Sequence, residues 1–278
     1  MRKRFKCINL FSVLLLAVTF AGCRSGIFDN GETETDIDPP LKILFIGSSY
    51  FNYNNLPILF NNLAGADDKK ADITNRSVNG LYLADHAESY YTEAIINKKK
   101  WDYVILQGVC TNAAYPDTHQ DIFPPYKRHP LKESVETLKN KILANCDSTK
   151  IMYCMPWAFE DGTTWVQGQN DTYEDMQKKI YTNIIGLARE LDLLIAPAGW
   201  AWYQILKDQC PVHYLHLPDW NHPSLRGSYL TACVIYASIF RERLEDNSYC
   251  AGLPVDEALK FQRTASETVV DSLEKWNL

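Results

Sequence analysis

No two of the eight cysteines in this 278-residue chain have the Cys-x-x-Cys spacing of a metal site, so a zinc reading has no support. A basic excess is missing as well: 28 Lys+Arg stand against 34 Asp+Glu, for a net charge of −6. Without a broad positive footprint the chain is not expected to bind nucleic acid. Even Lys98-Lys99-Lys100 runs straight into Trp101-Asp102 and reads as a solvated helix end. The chain has no internal repeat, and its longest apolar run, Leu10 to Phe20, is too short for a comfortable membrane span.

That short run has the surroundings of an export signal. Arg2, Lys3, Arg4 and Lys6 precede it, and Ala21-Gly22-Cys23 follows it. The layout resembles a bacterial lipoprotein signal, with Phe20 where such signals usually carry Leu. It implies removal of residues 1–22, lipidation of Cys23 and a membrane anchor in the cell envelope, facing the periplasm or the outside. The alternatives are a plain secretory signal cut near Ala21 and a retained membrane anchor. Cleavage would leave 24 basic against 34 acidic residues, a net charge of −10. Residues 23–40 are acidic, with Gly, Thr and a Pro pair but little to bury, and read as a flexible tether. One folded domain is expected over 41–278. Its six cysteines are scattered, and Cys154 and Cys233 lie in apolar runs that suit buried free thiols.

Within 41–278 strand-like and helix-like patterns alternate. Strands are expected at Lys42 to Ile46, Ala71 to Ser77, Tyr103 to Leu106, Ile151 to Met155 and Leu193 to Ala196. Helices are expected at Leu83 to Ile96, Leu131 to Ala144, Tyr173 to Leu191, Leu225 to Arg243 and Val255 to Trp276. Strands separated by helices predict an α/β fold, a three-layer α/β/α sandwich around a parallel sheet of about five strands. In such a sheet the residues just after each strand share one rim, where ligands bind. Here that rim would carry Gly47, Ser48 and Ser49, then Asn79 and Gly80, then Gln107, Gly108 and Asn112, with Trp157 and Trp200 from the last two strands.

The other concentration of chemistry is Asp219-Trp220-Asn221-His222, held out of regular helix by Pro218 and Pro223. On such a loop an aspartate can accept the Nδ1 proton of the histidine and leave Nε2 facing outward, ready to take a proton from a serine hydroxyl. Of the other histidines, His86 is expected on a helix surface, His119 and His129 in a Pro-rich excursion, and His213 and His216 in packing or at the entrance.

Gly47-Ser48-Ser49 near the start and Asp219-x-x-His222-Pro near the end resemble the SGNH/GDSL hydrolase superfamily, over most of residues 41–240. The resemblance implies a flavodoxin-like sandwich and a Ser-His-Asp serine esterase that needs no metal or organic cofactor. By the family's Gly-Asp-Ser pattern Ser49 aligns with the nucleophile, with His222 as base and Asp219 as its orienter. Ser48 stands where the family has Asp, which leaves Ser48 itself open as a second nucleophile candidate. The oxyanion hole would be formed by the N–H groups of Ser49 and Gly80 and a side-chain amide. The family's Gly-x-Asn-Asp block is absent, so that amide is Gln107 on reach alone, or Asn112 if the loop folds back. Tyr50, Phe51, Tyr53, Trp157, Trp165, Trp200, Trp202 and Trp220 beside the rim suit stacking on sugar rings, which together with export points to an acylated carbohydrate as substrate. The alternatives are a lipid-directed esterase or thioesterase and a non-catalytic glycan-binding lipoprotein.

Overall fold

The computed structural model describes residues 39–116, 130–166, 168–208 and 210–278. The expected signal and tether through residue 38, with Cys23, and the two histidines at 119 and 129 lie outside the described residues. Five strands form one parallel sheet: β1 Leu41–Gly47, β2 Ala71–Ser77, β3 Tyr103–Leu106, β4 Lys150–Cys154 and β5 Leu194–Ala196, in the order β2-β1-β3-β4-β5. This is the expected α/β sandwich. Ile43 to Ile46 are completely buried because β1 is central and covered on both faces.

The chain leaves β1 in one direction to make β2, then crosses back to add β3, β4 and β5 on the other side. With right-handed crossovers, that reversal sends the helix after β1 to one face and those before β3, β4 and β5 to the other. α2 (Leu56–Ala66) therefore lies opposite α3 (Leu83–Glu88), α4 (Tyr90–Ile96), α6 (Leu131–Asn145) and α7 (Tyr173–Leu191). Late in the chain α9 (Leu225–Phe240) packs on α2, and α10 (Val255–Val269) packs on α9. α9 is apolar almost all round because neighbours enclose it, and Tyr229, Val234, Ile235 and Tyr236 have no exposed surface.

Three helical expectations need correction. The pattern from Leu83 to Ile96 is two helices, since Ser89 is extended (φ −79°, ψ 118°) and its hydroxyl caps α4 by accepting from the Thr92 N–H. The last pattern continues past Val269 only as a kinked 3-10 stretch, Val270–Trp276. Ala198–Leu206, for which no helix is expected and which includes the rim residue Trp200, is a further helix, α8, placed between α7 and α9 in chain order. Gly199 in its first turn is obligatory: a Cβ there would come within 2.0 Å of the Pro156 carbonyl oxygen. The six cysteines among the described residues are free, with Cys110, Cys154 and Cys233 buried.

Candidate active site

β1 and β3 are neighbours whose connections leave in opposite directions, so their carboxyl ends open onto the crevice where α/β sheets bind ligands. β1 ends at Gly47, where a Cβ would lie 2.8 Å from Gln107 Oε1, so the close approach of that amide requires glycine. Ser48 then turns the chain as the N-cap of a single helical turn, α1 (Ser49–Asn52), with its hydroxyl accepting from the Tyr50 N–H. Ser49 is thus the first residue of a helix, where backbone N–H groups have no intrahelical partner.

The loop at 216–224 brings the histidine to that serine. Ser49 Oγ and His222 Nε2 are 2.9 Å apart, and His222 Nδ1 lies 2.7 Å from Asp219 Oδ2. A carboxylate can only accept, so Nδ1 carries the proton and Nε2 is the acceptor facing the serine hydroxyl. Asp219 Oδ1 accepts the N–H groups of Asn221 and His222, which closes the Asp-x-x-His turn on itself. Burial pushes the Asp219 carboxyl up, but those N–H groups and the imidazole outweigh it and hold the group below the usual carboxylate range. The loop is anchored by pairing of His216 with Pro223, and by a Leu217 N–H bond to the His222 carbonyl.

Ser48 and Ser49 are separated cleanly. Ser48 is 1% exposed, and both its N–H and its hydroxyl donate to Gln107 Oε1, at 3.0 and 2.9 Å. Gln107 is therefore a clamp beneath the serine turn. Its Oε1 must face Ser48, because a flipped amide would set one donor against another; its Nε2 then donates to the Gly108 carbonyl at 2.5 Å. The amide expected to face an oxyanion is committed to backbone instead. Asn112, the alternative, is buried in the short helix α5 (Cys110–Ala114). Gly80 sits in a turn closed by the Leu81 N–H on the Val78 carbonyl, with φ +78°, a conformation that favours glycine. Asn52 joins that turn to the serine: its Nδ2 donates to Asn79 Oδ1 at 2.7 Å, and its Oδ1 accepts from Asn75. Asn52 was not singled out from sequence, since an asparagine in an Asn-rich turn carries no signal of its own.

The rim aromatics divide into two groups. Tyr50, Phe51, Trp157 and Trp202 are core and not available for stacking on a ligand. Tyr50 stacks on Trp157 at 4.6 Å and Trp157 on Trp202 at 4.1 Å, while the Tyr50 hydroxyl donates to Asn221 Oδ1 and the Trp157 indole to the Asn221 carbonyl. The column holds the loop that carries His222. Tyr53 lies parallel to the imidazole at 4.3 Å and fixes its plane. Trp200 packs on Tyr181 and Tyr203, and Lys275 lies over its ring. Only Trp165 and Trp220 are widely exposed, at 59% and 46%.

His86, expected on a helix surface, is buried under the site. Its Nε2 donates to the Gly47 carbonyl at 2.9 Å, and its Nδ1 accepts from Thr92, whose oxygen also takes the Arg76 Nε–H. Burial pushes its pKa down. His213 donates from Nδ1 to Glu160 at 2.6 Å. His216 is buried against Trp202 and donates from Nε2 to the Ala158 carbonyl at 2.9 Å.

Burial pushes His216 down to about 4, only partly offset by the Ala158 bond and the charges of Glu160 and Asp219. An unfolded chain takes up that proton near pH 6.5 and the folded one near 4, so stability present at neutral pH is lost as the pH falls through this window. The loss expected is on the order of 3 kcal/mol. His216→Gln can keep the bond to Ala158 without a titrating ring. Thermal unfolding from pH 7 to 4 should show a shallower decline in that variant than in the unmodified protein.

No family model matches the sequence, and no curated protein does. Solved structures do match the fold. A DUF4886 family protein from Bacteroides uniformis is 18% identical and superposes with a TM-score of 0.67 over 83% of this chain and 95% of its own. A protein assigned to the SGNH hydrolases from Slackia heliotrinireducens is 20% identical, with a TM-score of 0.57 over 72% of this chain and 100% of its own. The acetylxylan esterase Axe2 of Geobacillus stearothermophilus is 18% identical, with a TM-score of 0.52 over 79% and 98%. The chain has the fold of SGNH/GDSL hydrolases.

Proposed function

We propose that this chain, with the fold of SGNH/GDSL hydrolases, is an exported serine esterase that removes O-acetyl or similar acyl groups from carbohydrate. The observation that carries the reading is the Ser49–His222–Asp219 chain of contacts at 2.9 and 2.7 Å, on the sheet rim where a substrate has access. His222 takes the Ser49 proton as Oγ attacks the ester carbonyl, and the acyl-enzyme bond forms. The Ser49 and Gly80 N–H groups hold the negative charge on the carbonyl oxygen. His222 then gives the proton to the leaving alcohol. Water, deprotonated by the same imidazole, attacks the acyl-enzyme and releases the acid. The acetylxylan esterase among the structural neighbours and the exposed Trp165 and Trp220 support an acylated sugar. Export and anchoring at Cys23 rest on the basic, apolar and small-residue order of residues 2–23.

A fluorophosphonate should label the protein once, on the peptide that carries Ser49, and abolish hydrolysis of an aryl acetate in proportion. Labelling elsewhere, or none together with no turnover, sinks the reading. Acyl chain length decides between sugar and lipid: acetate should be cleaved far better than octanoate, and the reverse order would assign a lipid substrate.

A further inference from the structure

Next to Asp219 lies a cleft of about 250 Å³, lined by Phe159, Asp161, Trp165, Asp219, Trp220 and Asn221. Two loops build it, and they are pinned together: the Glu160 N–H donates to the Trp220 carbonyl at 2.9 Å, and the Glu160 carboxylate accepts from the His213 N–H and ring. Trp220 is held with φ +60° and its N–H on the Leu217 carbonyl, so its indole is set outward at a backbone cost. Phe159 and Trp165 have ring centroids 6.0 Å apart, tilted by 49°. Two large, widely exposed indoles at a cleft that also takes in Asp219 are an apolar surface that a ligand would cover.

Among the described residues the charge lining this cleft is of one sign. None of the six lining residues is basic, and the aromatic faces present negative quadrupoles. Asp219 is already engaged through both oxygens by the Asn221 N–H, the His222 N–H and the His222 ring. Asp161 is exposed and lines the cleft, and its main-chain carbonyl accepts from the Thr164 hydroxyl. A neutral pyranose would stack on the indoles with its hydroxyls at Asp161 and Asn221. An ammonium would gain further from Asp161 and the rings, and a carboxylate or phosphate would be repelled.

We propose that the cleft is the subsite for the leaving sugar and that it selects by charge: neutral and ammonium-bearing rings are accepted, acidic rings refused, with Asp161 the discriminating residue. The proposal rests on the esterase reading of Ser49, and it adds what that reading leaves open, the class of sugar. The probes are the methyl glycosides of glucosamine, glucose and glucuronic acid, each carrying one O-acetyl group at the same position. In the full-length protein kcat/KM should fall in that order, about fivefold per step at low salt, with the steps shrinking at high salt. Asp161→Asn should bring the glucosamine-to-glucuronate ratio within about twofold of unity. Trp165→Ala should lower the ratio of acetyl-sugar to aryl-acetate turnover about tenfold.

A glucuronate cleaved as well as the glucosamine, or a ratio indifferent to Asp161→Asn, overturns the proposal and leaves the esterase reading intact. Binding is followed separately by indole fluorescence of Ser49→Ala titrated with the three unacetylated glycosides. The same charge order there, with no ester cleaved by the unmodified protein, would keep the subsite and discard the esterase. No binding of any glycoside overturns the subsite.

Discussion

Ser49→Ala should lower kcat for an aryl acetate by about 10⁴-fold or more while the melting temperature moves by less than about 2 °C. The two readouts separate because of where Ser49 stands. Its hydroxyl is partly exposed and meets His222 Nε2, and alanine is well tolerated in the first turn of a helix. What remains after truncation is the rate supplied by the oxyanion donors and binding alone. Ser48→Ala should give the opposite pattern. Its buried hydroxyl donates to Gln107 and caps Tyr50, so about 1–2 kcal/mol of stability goes, with turnover reduced about tenfold or less. Ser49→Ala and His222→Ala combined should be no slower than either alone, since each removes the same step. Equal losses from the two serine variants would contradict the assignment of the nucleophile.

The inner strands were legible in sequence because burial on both faces writes a strand as a short apolar run, as in Ile43 to Ile46, Tyr103 to Leu106 and Ile151 to Cys154, and the polar run at the sheet edge, Ala71 to Ser77, is a strand as well although none of its residues is buried. Ser49, Asp219 and His222 could be singled out because each lies where chain geometry limits it: at a strand end, and between two prolines. The aromatics were less legible. Trp157 follows β4 and Trp165 stands eight residues later, yet one is buried under Tyr50 and the other faces water. Sequence position places both near the rim, and only packing decides which indoles face out. His86 was misplaced for a similar reason. A lone histidine beside a helix reads as exposed, whereas its partner is the Gly47 carbonyl 39 residues earlier. Gln107 at a strand end predicts reach toward the crevice, but not that the nearest unsatisfied groups are the Ser48 N–H and hydroxyl rather than a ligand.

Gln107→Leu tests that last point, because the two roles for this side chain predict different pairs of readouts. As an oxyanion donor alone, Gln107 would affect kcat and leave stability nearly untouched. As the clamp seen here, it accepts from the Ser48 N–H and hydroxyl and donates to the Gly108 carbonyl, all within the buried end of the sheet. Leucine keeps much of the volume but leaves those groups without a partner. The expected cost is about 2–4 kcal/mol of stability, a drop of roughly 5–10 °C in the melting temperature. With Ser48 released, the turn that aims Ser49 at His222 loses its anchor, and kcat should fall about 100-fold with KM little changed. Gln107→Glu sharpens the distinction. Its carboxylate still accepts both Ser48 bonds, but it cannot donate to Gly108 and puts a negative charge beneath the oxyanion donors. Stability should recover in part while kcat stays at or below the leucine value. A leucine variant as stable as the parent would refute the clamp and return Gln107 to the role its place after β3 first suggested.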